Sequence, residues 1–441
     1  MIRALTRLAA AVAALAAATT SAIAQTATQA GTIDKADTAW IIAATALVLM
    51  MTIPGLALFY AGMVRKKNVL ATMAQSLAAT MLVSILWAVA GYSLTFTGDG
   101  PYIGTLDRVF LKGITLDSIS PLASTIPESL FMIYQMTFAV ITVALVAGSV
   151  ADRLRFSAFL LFSALWLFLV YVPIAHWVWG GGFLATYGVV DFAGGLVVHL
   201  NAGVAGLVAA IVVGKRRGYG SENLSPYDLA LAVIGTGLLW VGWMGFNGGS
   251  ALGANSRAVM AITSTHLAAC AGAFTWMALE WWTRGKPSVL GIISGAIAGL
   301  GTITPASGFV LPMHGVLIGI AAGAVCFWAC TSLKLRLGYD DSLDVFGVHG
   351  VGGLVGTLLV GVFAVGALSA TKDMPGGVSG LLEGNSQQLL AQLYGVGVTL
   401  AWAGGMTFVI LKVVGMMVPL RVRQEDEIIG LDVSQHGEAL Q

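Results

Sequence analysis

The sequence has 441 residues, of which 57% are hydrophobic and only 10% are charged. Soluble domains carry about 25% charged residues, so a surface this poor in charge must be covered largely by lipid. The net charge of +1 provides no basic surface for nucleic acid. Composition therefore argues against a soluble domain and a nucleic-acid-binding protein, and it indicates a polytopic membrane protein.

The N-terminal segment has the pattern of a cleaved signal peptide. Arg3 and Arg7 form a short positive region, an alanine-rich apolar run follows, and A-I-A at 22–24 is the small-x-small pattern of a signal-peptidase site. We predict cleavage before Gln25, which removes residues 1–24 and leaves the mature N-terminus outside. The alternative is an uncleaved first helix, for which the apolar run is short.

A membrane-spanning helix needs about 20 predominantly apolar residues, and eleven segments of the mature chain come close to this condition. They lie at roughly 38–63, 69–96, 127–150, 157–179, 192–213, 227–248, 259–282, 288–304, 312–333, 345–366 and 388–417. Proline and glycine blur several ends, and 288–304 is the shortest segment. We predict an all-α membrane domain at 25–418, followed by a polar tail at 419–441.

The basic residues alternate between the two sides that these spans define. With the mature N-terminus outside, the inner loops and tail hold fourteen of them: Arg65, Lys66, Lys67, Arg153, Arg155, Lys215, Arg216, Arg217, Arg284, Lys286, Lys334, Arg336, Arg421 and Arg423. The outer segments hold five: Lys35, Arg108, Lys112, Arg257 and Lys372. This asymmetry follows the positive-inside rule. It predicts a multi-pass membrane protein with its mature N-terminus outside and its C-terminus in the cytoplasm.

Two stretches in the fifth and tenth predicted spans are similar to each other. Residues 191–207 read D-F-A-G-G-L-V-V-H-L-N-A-G-V-A-G-L, and residues 344–354 read D-V-F-G-V-H-G-V-G-G-L. Each has an acid, then a histidine, then a glycine-rich apolar stretch. The two spans run in opposite directions, as an inverted repeat with a functional site near the midplane requires. Chance similarity between Gly- and Val-rich helices is the alternative.

His199 and His349 lie within these two spans, where ionisable groups are costly and tend to be functional. A lone membrane histidine more often only hydrogen-bonds one helix to another. Two histidines at related positions of two half-repeats would be brought together by the repeat axis. A neutral imidazole pair can share one proton and so line an otherwise apolar pore.

Aromatic residues cluster at the predicted outer ends of spans, among them Tyr134, Phe138, Trp179 and Phe246. An interfacial belt is the default role for any one of them. Trp179 precedes three glycines that would leave a ring face open, and Ser250 follows Phe246 by one helical turn. A tryptophan face and a hydroxyl form a plausible site for a small cation through cation–π attraction and one hydrogen bond.

Asp191 stands just before the fifth span. A carboxylate at this position caps a helix and complements the helix dipole. A second role would be to order a cation site at the outer mouth. We expect capping to be the direct mechanism.

Seven segments of the chain resemble, in order, the ammonium transporter/methylammonium permease/Rhesus family. They are M-T-I-P-G-L-A-L-F-Y-A-G-M-V-R-K-K-N (51–68), A-D-R-L-R-F-S-A (151–158), P-I-A-H-W-V-W-G-G-G (173–182), D-F-A-G-G-L-V-V-H-L-N-A-G (191–203), G-W-M-G-F-N-G-G-S-A (242–251), D-V-F-G-V-H-G-V-G-G (344–353) and G-L-D-V-S-Q-H-G-E (430–438). The presence of both Trp179 and Ser250 is similar to the bacterial ammonium-transporter branch rather than to the Rhesus branch.

The resemblance implies an eleven-helix fold with a five-helix inverted repeat and a pseudo-twofold axis. It also implies a homotrimer with one pore per subunit. In this family pattern, Trp179 and Ser250 would form an outer ammonium recruitment site, with Tyr134 and Phe138 nearby. The tail resembles the family segment that contacts PII-type nitrogen signal proteins, so such a protein is an expected partner.

The same resemblance implies that Phe138 and Phe246 form a stacked gate and that His199 and His349 are twin pore histidines. Asp191 would hold the recruitment site in shape. Ammonium would lose its proton near the gate and cross as ammonia, and we expect the proton to cross as well by a separate path. No cofactor or metal is implied.

Two positions depart from the family pattern. Tyr134 stands where the family often has phenylalanine, which would add a hydroxyl at the vestibule. Leu196 stands where the family often has threonine, which puts any hydroxyl-based proton path at that point in doubt.

Three alternatives stay open at this point. The first is an ammonium sensor that signals through its tail to PII-type proteins. The second is an enzyme that uses the histidines as metal ligands, but they lack a third ligand at matching depth and no H-E-x-x-H pattern occurs. The third is a transporter of another small solute.

Overall fold

The computed structural model describes residues 31–371 and 374–440, and the regular structure in these ranges is helical apart from one isolated bridge between Leu154 and Arg421. Ten described helices are long and apolar enough to cross a membrane, and a shorter apolar helix lies between the seventh and the eighth of them. Ten of the eleven predicted spans are therefore confirmed, and the remaining one, predicted at 288–304, coincides with the shorter helix. The predicted signal peptide at 1–24 lies outside the described residues.

In chain order the eleven helices are α1 (Lys35–Met63), α2 (Lys66–Phe96), α3 (Glu128–Val150), α4 (Phe156–Tyr187), α5 (Gly195–Val213), α6 (Leu229–Gly249), α7 (Ser256–Arg284), α8 (Val289–Ile303), α9 (Pro312–Leu337), α10 (Phe346–Phe363) and α11 (Ser386–Met417). A short helix, α12 (Gln424–Ile429), lies in the tail. In lipid every backbone polar group needs an internal partner, which a continuous helix provides.

Polar side chains begin several of these helices by accepting hydrogen bonds from the first free backbone amides. Asp34 accepts from Ala36 and Asp37 at the start of α1 through one carboxylate oxygen, at 2.8 and 2.9 Å. Asp228 caps α6 in the same way, and Ser288 caps the short α8. These local signals explain why the predicted and observed starts of most spans differ by only a few residues.

α5 and α10 begin inside the protein rather than at its surface. Each opens with a wide π-helical turn, Gly195–Leu200 in α5 and Phe346–Gly350 in α10, and each turn carries one of the two predicted pore histidines. The acids before these turns, Asp191 and Asp341, are buried. Because no water is available at such a depth to satisfy free amides, a buried carboxylate is a suitable way to begin the helix.

The structure corrects the register of the internal repeat. Asp344, which the sequence comparison pairs with Asp191, instead forms an ion pair of 2.8 Å with Lys334. Asp341 is the capping acid, because its Oδ2 accepts from the Phe346 amide at 2.7 Å. Asp191 and Asp341 each stand eight positions before their histidine. Burial raises the pKa of the Asp341 carboxyl to about 6, although the Lys334 ammonium offsets part of that effect.

The two half-repeats meet where α5 crosses α10, through glycines in mirrored positions. A Cβ on Gly203 would lie 2.2 Å from the Gly350 Cα, and a Cβ on Gly353 would lie 2.6 Å from the Leu200 backbone nitrogen. Each glycine stands four residues after a histidine and touches the residue that follows the other histidine. This reciprocity is what a pseudo-twofold axis between the two helices produces, and only glycine permits so close an approach.

The charged loops and the tail gather at one end of the bundle. Arg153, which is fully buried, donates to the carbonyls of Gly214 at 2.7 Å and Asp340 at 2.6 Å, and its own carbonyl accepts from Val422 of the tail. Lys67 donates to the Glu427 carbonyl at 2.9 Å. These contacts join the α1–α2, α3–α4, α5–α6 and α9–α10 loops to the tail, as the alternating charges predict. The side of the membrane that this end faces remains a prediction.

The α5–α10 crossing makes a prediction about stability. Gly203→Ala should lower the free energy of unfolding by about 1–3 kcal/mol or more, because its methyl group would overlap the Gly350 backbone. Thermal unfolding of the purified protein in detergent measures this change. Gly397→Ala is the matched control, since this α11 glycine has no atom within 4 Å of an added Cβ. Equal melting temperatures for the two variants would contradict the proposed crossing contact.

Candidate functional site

An outer cavity of about 250 Å³ brings together most of the predicted cation-binding residues. Phe138 of α3, Trp179 of α4 and Ser250 after α6 line it, and Gln135 and Phe192 also form part of its wall. Residues from three separate parts of the bundle therefore form this outer cavity, or cup. The cavity lies at the end of the bundle opposite the tail, because it is built from the ends of α4 and α6 that lie away from the charged loops.

Trp179 is held in place by its neighbours. Its Nε1–H donates to the Asp191 backbone carbonyl at 2.8 Å, and Phe138 meets its ring edge-on at 5.7 Å between centroids. The Asp191 carboxylate in turn accepts from the amides of Gly194 and Gly195 through Oδ1, and from the two following amides through Oδ2. One acid thus caps α5 with its side chain and orients the indole with its backbone.

His176 is a second anchor of the Trp179 segment. Its two ring nitrogens lie 2.8 Å from the Thr95 carbonyl and 2.6 Å from the Gly100 carbonyl. These contacts tie the chain after α2 to the last turn before Trp179. A polar residue inside an apolar segment was the only sequence signal for this role, and it does not identify the partners.

Ser250 offers its lone pairs to the cavity. Its hydroxyl donates to the Phe246 carbonyl at 2.8 Å, so the oxygen remains free to accept from a donor in the cavity. Tyr134 is fully buried, and its hydroxyl lies 3.0 Å from the carbonyls of both Gly245 and Phe246 and 3.5 Å from the Ser250 Oγ. The expectation that Tyr134 adds a hydroxyl at the vestibule is therefore corrected: the phenol supports Ser250 from behind.

Two phenylalanine rings close the floor of the outer cavity. Phe138 and Phe246 are buried, with ring centroids 4.3 Å apart and an interplanar angle of 42°. Phe138 also lines the outer cavity, whereas Phe246 lines the small space beneath it. The rings thus separate a partly polar cup from the interior, at the position predicted for a gate.

His199 and His349 meet beneath this pair of rings. Their Nδ1 atoms are 3.2 Å apart, and the imidazole planes are inclined by only 13°. Trp243 stacks on His199 at 5.5 Å, and the Nε2 of His199 is buried without a partner among the described residues. The structure therefore brings together two residues that are 150 positions apart in the sequence.

The space around the two imidazoles is narrow and leads onward. A cavity of about 10 Å³ is lined by Phe246, His199, His349 and apolar side chains, and this volume admits about one water-sized molecule. His349 also lines an inner cavity of about 270 Å³, whose wall includes Thr331 and Asp344 near the charged end. Cup, rings, imidazoles and inner cavity thus follow one another through the protein, and His349 lines both of the last two cavities.

Comparison with known proteins agrees with this arrangement. The sequence model of the Ammonium Transporter Family matches residues 39–440. The chain belongs to the ammonium transporter family. An ammonium transporter of Bacillus subtilis is 48% identical over 402 residues, which are 91% of this chain and 97% of that protein. The family consists of transporters, so the enzyme alternative is set aside.

Solved structures share the fold of this ammonium transporter. The crystal structure of Saccharomyces cerevisiae Mep2 matches with a TM-score of 0.83 and 39% identity, over 90% of this chain and 89% of that one. A structure described as a sensor Amt protein matches with a TM-score of 0.82 and 29% identity, over 91% and 98%. The predicted fold class of the transporter is confirmed.

Sequence reasoning missed some residues of the site. Asp341 could have been found from its eight-residue spacing to His349, which matches that of Asp191 to His199. Gln135 stands three positions before Phe138 on α3, so helical periodicity puts the two on one face, but nothing in the sequence says that this face lines a cavity. Leu196 is fully buried and gives the α5 cap no hydroxyl.

The Asp191 cap makes a second prediction. Asp191→Asn keeps one acceptor oxygen but turns an amide NH₂ toward two backbone N–H groups, so it should destabilise the transporter by roughly 2 kcal/mol or more. Thermal unfolding measures the loss. Asp34→Asn is the control, because Asp34 caps α1 through a single oxygen that asparagine retains. A melting temperature for Asp191→Asn as high as that of the control would contradict the four-bond cap.

Proposed function

We propose that this ammonium transporter recruits ammonium in the outer cavity, removes its proton at the Phe138–Phe246 gate, and conducts ammonia past His199 and His349. The observation that carries the proposal is the succession of a cation-suited cup, two apolar rings, two paired imidazoles and an inner cavity. Each step follows from what that part of the line can stabilise.

Recruitment uses the two features of the cup that attract a small cation. The Trp179 ring supplies a negative face, and the Ser250 oxygen supplies an acceptor whose own proton is already committed to a carbonyl. Asp191 acts indirectly, by holding the indole and the start of α5, and its carboxylate oxygens are occupied by backbone amides. The cup therefore favours a monovalent cation that donates N–H groups. Among the described residues, its wall offers no formal negative charge that would trap this cation.

The gate decides which form of the substrate goes further. Moving a bare ammonium-like charge into low dielectric costs tens of kcal/mol by the Born estimate. An amine with a pKa of about 10 loses its proton at pH 7 at a cost of roughly 4 kcal/mol. Since the rings of Phe138 and Phe246 offer no partner for a full charge, deprotonation is the cheaper route, and neutral ammonia passes.

The imidazole pair then supplies hydrogen bonds in an apolar tube. With their Nδ1 atoms 3.2 Å apart, one histidine donates and the other accepts, so the two tautomers are linked. The remaining Nε2 atoms then carry one N–H and one lone pair. Ammonia, which both donates and accepts, can bond to each of them in turn, and the unpaired Nε2 of His199 is free for this purpose.

The released proton, we propose, passes to transient water and also crosses, relayed from one imidazole of the histidine pair to the other separately from the passage of the ammonia molecule. Transport would then move one net charge with each ammonium taken up. The linked tautomers support this step, because a proton that enters at one imidazole displaces the shared proton toward the other.

Further expectations concern orientation and assembly. We propose a homotrimer in a bacterial inner membrane, with the outer cavity facing the periplasm and the tail facing the cytoplasm. The concentration of basic loops and tail at one end supports this orientation. A PII-type signal protein at the cytoplasmic face remains part of the proposal on the family resemblance alone.

A sensor is the second candidate function, favoured by the structural match to the sensor Amt protein. Its identity of 29% is below the 48% shared with the Bacillus subtilis transporter, which supports transport as the main activity. Uptake by the purified, reconstituted protein would exclude sensing as the sole role.

Methylammonium uptake by cells lacking their own transporter tests the site. We expect His199→Ala to abolish uptake, because the shared proton and a buried hydrogen-bonding position are both lost. Trp179→Leu should weaken selection and raise the half-saturating concentration by up to about tenfold, since the cation–π contribution disappears. His266→Ala and Trp282→Leu, at exposed positions, are the matched controls. Unchanged uptake in both test variants would remove the site assignment.

A measurement of electrical current tests whether transport moves net charge across the membrane. Proteoliposomes containing the transporter should give a voltage-dependent current when ammonium is added, if the proton follows the ammonia. The His199→Ala protein in the same vesicles should give none. Electrical silence of the wild-type protein alongside normal uptake would rule out electrogenic transport and leave ammonia conduction intact.

A further inference from the structure

The wall of the outer cavity contains a side-chain amide to which the proposed cycle assigns no role. Gln135 lines this cavity together with Phe138, Trp179 and Ser250. Its Oε1 is buried and has no hydrogen-bond partner among the described residues. A buried carbonyl oxygen without a partner is uncommon, and each case calls for a reason.

Helix α3 places this amide directly above the gate. Gln135 follows Phe131 by four positions and precedes Phe138 by three, so the three side chains lie on one helix face, and all three line the cavity. The adjacent Tyr134 points away, toward the backbone of α6. An ion resting on the Phe138–Phe246 floor therefore has the Gln135 amide beside it.

Ammonium has more donors than the known features of the cup can receive. Its four N–H groups point to the corners of a tetrahedron, the Trp179 face can take one, and the Ser250 oxygen can take another. At least two N–H groups remain. A carboxamide oxygen is an uncharged acceptor with two lone pairs, and bonds from a charged donor to such an oxygen are stronger than neutral ones.

We propose that Gln135 is a third ligand of the recruited ammonium, accepting one N–H through Oε1. This inference rests on the proposed recruitment site and adds a residue to it. Because Oε1 has no hydrogen bond to give up, the amide can turn about its last side-chain bond toward the ion without breaking a hydrogen bond of that oxygen. The bond forms before the gate and is absent once ammonia has passed.

A ligand of this kind changes recruitment and leaves translocation alone. Gln135→Met removes the acceptor at similar volume, so the ammonium concentration that half-inhibits methylammonium uptake should rise about tenfold. The maximal uptake rate should stay at the wild-type value, because the gate and the histidine pair are untouched. Gln135→Glu keeps the acceptor and adds negative charge, so at neutral pH it should lower the half-inhibiting concentration below that of wild type.

Gln75→Met is the matched control. Gln75 of α2 is also buried with an unpartnered Oε1, but it does not line the outer cavity. The same chemical change there should leave the half-inhibiting concentration within about twofold of wild type. Size-exclusion profiles of the purified variants show which of them fold. If Gln135→Met does not fold, Gln135→Glu still tests the proposed ligand.

Ser250→Ala, measured in parallel, separates the two levels of the proposal. If Ser250→Ala weakens ammonium inhibition while both Gln135 variants match wild type, the third ligand is overturned and the recruitment site stands. A lowered maximal rate in Gln135→Met with unchanged inhibition would also overturn it, because the residue would then act after the gate. If Ser250→Ala and Trp179→Leu both match wild type, the recruitment site itself fails.

Discussion

The architecture of this protein follows from one contact, between the Nδ1 atoms of His199 and His349. These atoms lie 3.2 Å apart inside apolar walls. Two imidazoles can meet there only if two helices begin inside the protein and run in opposite directions. Beginning a helix away from water leaves free amides that need a buried acceptor, which Asp191 and Asp341 supply. Glycines then let the helices approach closely enough for the rings to pair.

The polarity of the walls falls from the outer cavity to the two phenylalanine rings and rises again at the imidazoles. The proposed chemistry of the transporter follows from this profile. The outer cavity offers a ring face and acceptor oxygens, the two phenylalanines offer neither, and the imidazoles restore hydrogen bonding for a neutral molecule. In the proposed cycle a cation is favoured in the first zone and excluded from the second, so loss of charge at the boundary would follow from the composition of the walls.

The sequence singled out most of the residues that the structure brings together here, because each carries a signal that is independent of the fold. Histidines inside apolar spans are costly, and a tryptophan beside three glycines is unusual. The pairing of Asp344 with Asp191 was wrong because Asp344 and Asp341 both stand before His349, and only the direction of each carboxylate separates a cap from an ion pair. The role of the Tyr134 hydroxyl was missed for a similar reason, since its acceptors lie on a different helix.

The sequence by itself determined the number, the order and the apolar character of the spans. A helix in lipid must satisfy its own backbone hydrogen bonds and bury about 20 apolar residues wherever it lies. Helix caps are likewise local, and so was the expectation that Asp191 begins α5. Only the tertiary structure decided which side chains share the conduit. His199 and His349, or Gln135 and Ser250, become neighbours through the crossing of distant helices, where packing and not local pattern sets the distance.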